Sequence, residues 1–200
     1  MVPSSVPAVK PMSRAAIEEK AREILRSYSP GTLLGKEPFP ISDFCEFHLE
    51  EDFNVPFGVT TLAMNVEGEF QGFEVIITDA VYKNLQRDEG RARFTTAHEI
   101  GHAILHGDQL RAINRRPPGM RVLYRPAHVK PYMNPEWQAN AFAAALLMPL
   151  EGVHAVMKEL GEGAPMFAEG AVSHRFRVSM QAAKLRVDSI LYPKAGIGNH

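Results

Sequence analysis

His98, Glu99 and His102 lie in the run FTTAHEIGHAILHG (94–107), and their types and spacing are suited to metal chemistry. On a helix, residues four apart share one face, with Cβ atoms ~5–6 Å apart. Two imidazole nitrogens placed so can both reach one zinc ion at ~2.0–2.1 Å. Glu99 is rotated about 100° from His98 around the helix axis. Its carboxylate therefore suits a general base toward water rather than a third ligand. The competing reading is a helix that carries two hydrogen-bonded surface histidines. Phe94, Ala97, Ile100, Ala103, Ile104 and Leu105 weigh against it. They are apolar or small, so the helix is expected to be buried, and buried histidines need partners.

His106 lies too far along to join the same ion, since eight residues of straight helix rise ~12 Å. A variant motif uses glycine to turn the chain back toward a third histidine. Here Leu105 and Asp108 occupy the two positions that motif requires, so it does not apply. His106 is expected to be a hydrogen-bonded histidine at the helix end, near the negative end of the dipole. Gly107 is the expected stop.

A third ligand must then come from another element, and EWQANAFAAALLMP (136–149) offers one. Glu136 and Asn140 share a face, with the small residues Ala139, Ala143 and Ala144 and Leu147 on or beside it. Small residues let two helices approach closely. Two histidines and one glutamate leave a fourth zinc position for water, as in thermolysin. Asn140 can hold the second ring nitrogen of a histidine and fix its tautomer. Read without the histidines, the segment is a plain amphipathic helix with Glu136 placed by the dipole.

The elements that would position these residues follow from pattern. Ser13 caps a helix with Ile17, Ala21, Ile24, Leu25 and Tyr28 on one face. Ile41 to Phe53 suggests a second. Residues 58–78 are rich in Thr, Val, Ile and Phe, with Glu67-Gly68 in mid-run, and read as an antiparallel hairpin. Asp79 is a candidate cap for a short helix to Gln86. Arg91 to His106 reads as the metal helix. Asn134-Pro135 starts the helix that carries Glu136. Residues 108–134 read as loop, with a short strand at 121–125. Three helices are expected near 150–160, 165–175 and 179–191.

Together the two segments resemble the ImmA/IrrE family of bacterial zinc metallopeptidases. That family shows an "FTxAHEhGHxhLH" helix, with h apolar, and "ExxANxFAxxLLMP" about thirty residues later. RFTTAHEIGHAILH (93–106) and EWQANAFAAALLMP (136–149) match both, in order and spacing. The resemblance is clear from about residue 38 to 150. It implies an α+β fold with a thermolysin-like minimal metallopeptidase core: a small antiparallel sheet packed on the active-site helix, and a second helix bearing the glutamate. It marks His98, His102 and Glu136 as ligands of one zinc ion and Glu99 as catalytic. It also implies a substrate class. Such proteins act on a helix-turn-helix repressor, often encoded nearby, and derepress mobile-element, phage or stress-response genes. Some form toxin–antitoxin-like pairs. Position 138, acidic in many members, is Gln138 here and is not expected to touch the proposed ligand. Beyond residue 150 there is room only for a small helical region.

The organisation expected is a tail (1–12), a metallopeptidase core (13–150) and a C-terminal helical region (151–200). For the oxyanion, Tyr124, His128 and Tyr132 are the candidate donors. Arg111, Arg115, Arg116, Arg121, Arg125 and Lys130 read as a solvated basic loop, with docking of an acidic partner as the alternative. Residues 171–192 resemble a helix-turn-helix weakly. A helical hairpin packed on the core is the preferred reading over a DNA reader. Cys45 is expected to be inert.

Composition bounds the rest. In 200 residues, 45% are hydrophobic and 22% charged, and the net charge is −1, which gives no bulk attraction to nucleic acid or membrane. One cysteine excludes an internal disulfide framework. The first fourteen residues lack the apolar core of a signal peptide, and no run approaches the ~20 apolar residues of a membrane span. The expectation is a cytoplasmic zinc endopeptidase with a protein substrate and no direct nucleic-acid contact. The competing class is a non-enzymatic antirepressor or antitoxin-like binding module whose metal only holds the fold.

Overall fold

The computed structural model describes residues 9–61, 68–70, 74–114 and 130–192. Ser13 Oγ accepts from the Ala16 amide at 3.2 Å and starts α1 (Arg14–Tyr28). Ile17, Ala21, Ile24 and Leu25 recur at helical spacing on its buried face. After a turn of helix, α2 (Pro30–Leu33), comes a helical stretch in three parts. These are α3 (Ile41–Asp43), a π-helical segment (Phe44–His48) and α4 (Leu49–Phe53).

Three strands follow: β1 (Phe57–Thr60), β2 (Gly68–Phe70) and β3 (Val75–Thr78). Their order is β1-β3-β2. The expected all-antiparallel hairpin is corrected here, because the sheet is mixed. β1 runs parallel to β3, with Phe57 opposite Val75 and Thr60 opposite Thr78. β2 runs antiparallel to β3, with Gly68 opposite Ile77. Gly68 is thus a ladder residue rather than a turn residue. The centre goes to β3, the most β-branched run, whose Val75 and Ile77 are fully buried. The α+β class stands.

Thr78, rather than Asp79, caps α5 (Asp79–Leu85), accepting from the Val81 amide at 3.1 Å. The Glu89 carboxylate accepts from the Arg91 and Ala92 amides at the start of α6 (Gly90–Asn114). This helix passes straight through Gly107, so that expected stop is corrected. A mid-helix glycine costs only about 1 kcal/mol, and the residues beyond it are held. Asp108 pairs with Arg111 at 2.9 Å, and Gln109 Oε1 accepts from the Lys10 amide at 2.9 Å.

Asn134 Oδ1 accepts from the Glu136 amide at 2.9 Å, and Pro135 opens α7 (Pro135–Leu147). Three helices complete the described chain: α8 (Leu150–Leu160), α9 (Ala164–Phe176) and α10 (Met180–Leu191). β2 and β3 pack on α6, α7 lies along α6, and α1 packs on α7. The α6–α7 approach depends on Gly101, where a Cβ would lie 3.1 Å from the Ala139 carbonyl oxygen and 3.2 Å from its Cα. α9 and α10 pack together as a helical hairpin. Arg186 on α10 forks onto Glu18 of α1 at 2.5 and 2.9 Å and donates to the Met148 carbonyl at 2.9 Å. Among the described residues, no single helix is long and apolar enough to cross a membrane.

Candidate metal centre

α6 carries His98 and His102 one turn apart on the face toward the start of α7. Their Nε2 atoms are 3.0 Å apart. Glu136, in the first turn of α7, places Oε2 3.3 Å from His98 Nε2 and Oε1 3.4 Å from His102 Nε2. One ligand atom from each of the three lies within 4.8 Å of the others. Four-coordinate zinc with bonds of ~2.0–2.2 Å separates its ligand atoms by roughly 3.3 Å. The spacing and the two-nitrogen, one-carboxylate chemistry therefore fit that ion. The imidazoles are 18% and 14% exposed and the Glu136 side chain 58%, so the centre opens to solvent on the α7 side.

The electrostatics point the same way. Hydrogen bonds from His102 and His98 hold the Glu136 carboxyl well below the usual carboxylate range. Burial works against a charge on His98. The Glu136 hydrogen bond and the nearby charges of Glu99 and Glu136 outweigh it and raise its pKa. The place between the rings thus favours positive charge, whether a proton or a metal ion. Glu99 is buried, at 8% exposure, beside His98. Asn140 Oδ1 lies 3.1 Å from His98 Nδ1. A carbonyl oxygen only accepts, so Nδ1 carries a hydrogen, and Nε2 faces the centre with a lone pair once its own proton has left.

His106 is hydrogen-bonded, as expected, but it does not sit at a helix end. It is buried in mid-helix, with Nδ1 3.2 Å from His102 Nδ1 and Nε2 2.8 Å from Gln138 Oε1. Burial pushes its pKa down to about 4, so the ring is neutral near pH 7. Gln138 is the residue that sequence reasoning missed. Its signal was a polar side chain on the apolar stripe Pro135, Ala139, Phe142, Leu146 of α7. A glutamine there must find buried partners.

Of the oxyanion candidates, Tyr124 and His128 lie outside the described residues. Tyr132 is partly buried, with its ring under the Lys130 ammonium at 5.8 Å and its carbonyl accepting from Gln138. Arg115, Arg116, Arg121 and Arg125 of the basic stretch, and the strand expected at 121–125, also lie outside. Residues 1–8 of the expected tail do too. Residues 9–12 are held, with the Lys10 amide on Gln109 and the Met12 amide on the Tyr132 carbonyl. Cys45 is 2% exposed, and burial pushes its thiol pKa up, which leaves little nucleophilic thiolate. A groove of about 770 Å³ runs between α6, α7 and α10, bordered by Phe94, Thr95, Trp137 and Leu185, and Asn140 belongs to both groove and centre.

The sequence model of a peptidase family described as the IrrE N-terminal-like domain matches residues 78–188. Among solved structures, a Mycobacterium tuberculosis transcriptional regulator has a similar fold, with a TM-score of 0.51 and 14% sequence identity. The match covers 91% of this chain and 48% of the regulator, so the chain spans about half that protein's length. No curated protein matches the sequence.

Proposed function

The chain belongs to the IrrE N-terminal-like domain family, and from that premise we propose that it is a zinc-dependent endopeptidase. In this reading His98, His102 and Glu136 hold one zinc ion and Glu99 is the general base. The substrate is a partner protein, a helix-turn-helix repressor encoded nearby, and the setting is the cytoplasm. The organisation is a peptidase core (13–150) with a small C-terminal helical region (151–200). The observation that carries the proposal is the convergence of the two imidazoles and the α7 carboxylate, with a buried carboxylate, Glu99, beside His98.

Zinc in this place supplies a Lewis acid that polarises a scissile carbonyl and acidifies water. The rest is the work of the chain. As the water oxygen bonds to the carbonyl carbon, a Glu99 carboxylate oxygen takes one of its protons. Glu99 then gives that proton to the amide nitrogen as the C–N bond breaks and the amine leaves. Asn140 keeps His98 Nε2 turned inward. One donor from Tyr124, His128 or Tyr132 steadies the oxyanion. Among the described residues β2 is an edge strand, and it packs on α6. It suits main-chain pairing with an extended substrate segment, while the groove at Asn140 accepts flanking side chains.

The test is to mix the protein, zinc and the product of the neighbouring repressor gene. A cut that a chelator abolishes supports the peptidase. Stoichiometric binding without fragments, at full zinc occupancy, would replace it with the binding module that only holds its partner.

A further inference from the structure

Behind His102 runs a line of buried polar contacts that leaves the metal face altogether. Gln138 Nε2 lies 2.8 Å from the Tyr132 carbonyl oxygen and 3.0 Å from that of Lys10. Both carbonyls can only accept, so this end of the amide is its NH₂. The other end, Oε1, therefore faces His106 Nε2 at 2.8 Å and can only accept. That puts the His106 hydrogen on Nε2 and leaves Nδ1 as a lone pair. This lone pair lies 3.2 Å from His102 Nδ1. An acceptor there requires a donor, so His102 carries its hydrogen on Nδ1. In the neutral ring the lone pair is then on Nε2, the atom 3.4 Å from Glu136 Oε1, which donates to that carboxylate only while the ring is protonated on both nitrogens. Gln138 and His106 are 0% and 1% exposed, so water does not compete with these bonds.

We propose that Gln138 and His106 are positioning residues that fix the tautomer and ring orientation of His102 through this relay. The two histidines are thereby set by different means. Asn140 fixes His98 directly, whereas His102 is fixed through a second imidazole whose own hydrogen is dictated by the main chain at Lys10 and Tyr132. The Lys10 amide on Gln109 and the Met12 amide on the Tyr132 carbonyl hold those two segments in place. The N-terminal strap is thus mechanically part of the centre. The inference rests on the zinc reading for its purpose. The tautomer itself is a property of the metal-free chain.

The experiment reads both. In zinc-free, ¹⁵N-labelled full-length protein, imidazole nitrogen shifts at a pH where the rings are neutral report which nitrogen of His102 is protonated. Zinc affinity is read in parallel by chelator competition. The wild type is expected to show His102 with its hydrogen on Nδ1. Gln138→Leu and His106→Phe should lose that preference and bind zinc about 10–100-fold more weakly. His106→Gln keeps a carbonyl able to accept from Nδ1 and should recover part of the affinity. A wild-type His102 with its hydrogen on Nε2 overturns the relay, and this measurement needs no variant to fold. Unchanged zinc affinity in folded Gln138→Leu and His106→Phe overturns it as well. If the wild type binds no zinc, the peptidase reading fails, and the His102 tautomer alone still decides the relay.

Discussion

The two ends of α7 each meet a polar cluster, and the clusters differ in kind. At the C-terminal end, Arg186 is 3% exposed and Glu18 15%. The guanidinium forks onto the carboxylate and also caps the Met148 carbonyl, a cation at the negative end of a helix. The Arg186 and Glu18 charges there partner each other within the chain. At the N-terminal end, Glu136 sits where the helix dipole favours an anion. Two imidazole nitrogens join it, each turned inward by a hydrogen bond to its other nitrogen. That cluster sets one carboxylate among two imidazoles that carry positive charge only when protonated. The first arrangement fastens α10 to α1. The second brings together three groups that could hold a metal ion.

If this contrast holds, the two clusters fail separately. The largest effect is expected for Glu99→Gln, which should lower cleavage of the partner by about 10²–10⁴-fold while zinc still binds. Fragment assays beside chelator competition check both halves, and a fully active variant would remove Glu99 from the chemistry. At the other end, Arg186→Ala leaves the Glu18 carboxylate unpaired and should cost about 3–5 kcal/mol of stability in denaturant unfolding. Arg186→Met with Glu18→Leu should recover much of that loss. A loss no larger than that from truncating an exposed arginine would show that the pair is not holding α10.

Gly101→Val probes the approach of α6 to α7. Its branched side chain meets Ala139 backbone that cannot swing away. A cost of about 1–3 kcal/mol is expected, together with weaker zinc binding as Glu136 is pushed from the histidines. Zinc affinity equal to wild type would mean that helix separation does not control the centre. The smallest effect concerns protons. The raised His98 pKa means that the metal-free fold holds a proton there more tightly than the unfolded chain does. Its contribution to stability is full below the ordinary histidine pKa of about 6.5 and is lost as pH rises through the raised value. Zinc needs that proton gone, so its affinity should follow the opposite trend. It should weaken about tenfold per pH unit, for each proton displaced, as pH falls below the raised value. Melting curves of zinc-free protein and chelator competition over the same pH series test the opposed slopes.

What could be read from the chain was local. A spacing of four turns His98 and His102 to one face wherever a helix forms, and Glu99 follows by rotation. Ser13 and Asn134 cap their own helices because a cap and its amide are two or three residues apart. The parallel pairing of β1 with β3 was not legible, since strand partners are chosen by which face the rest of the core covers. Nor was the passage of α6 through Gly107, where contacts from the residue-10 segment outweigh a weak local preference.

The site divides along the same line. Residue types and short spacings determined a helix with two histidines on one face, a carboxylate next to the first of them and a second helix able to bring another carboxylate. Only the tertiary structure decided that Glu136 meets both imidazoles and that Gln138 and His106 stand behind His102. Periodicity specifies which way a side chain faces within its own helix. The distance between two helices and the carbonyls left over for a buried amide come from packing, to which the whole chain contributes.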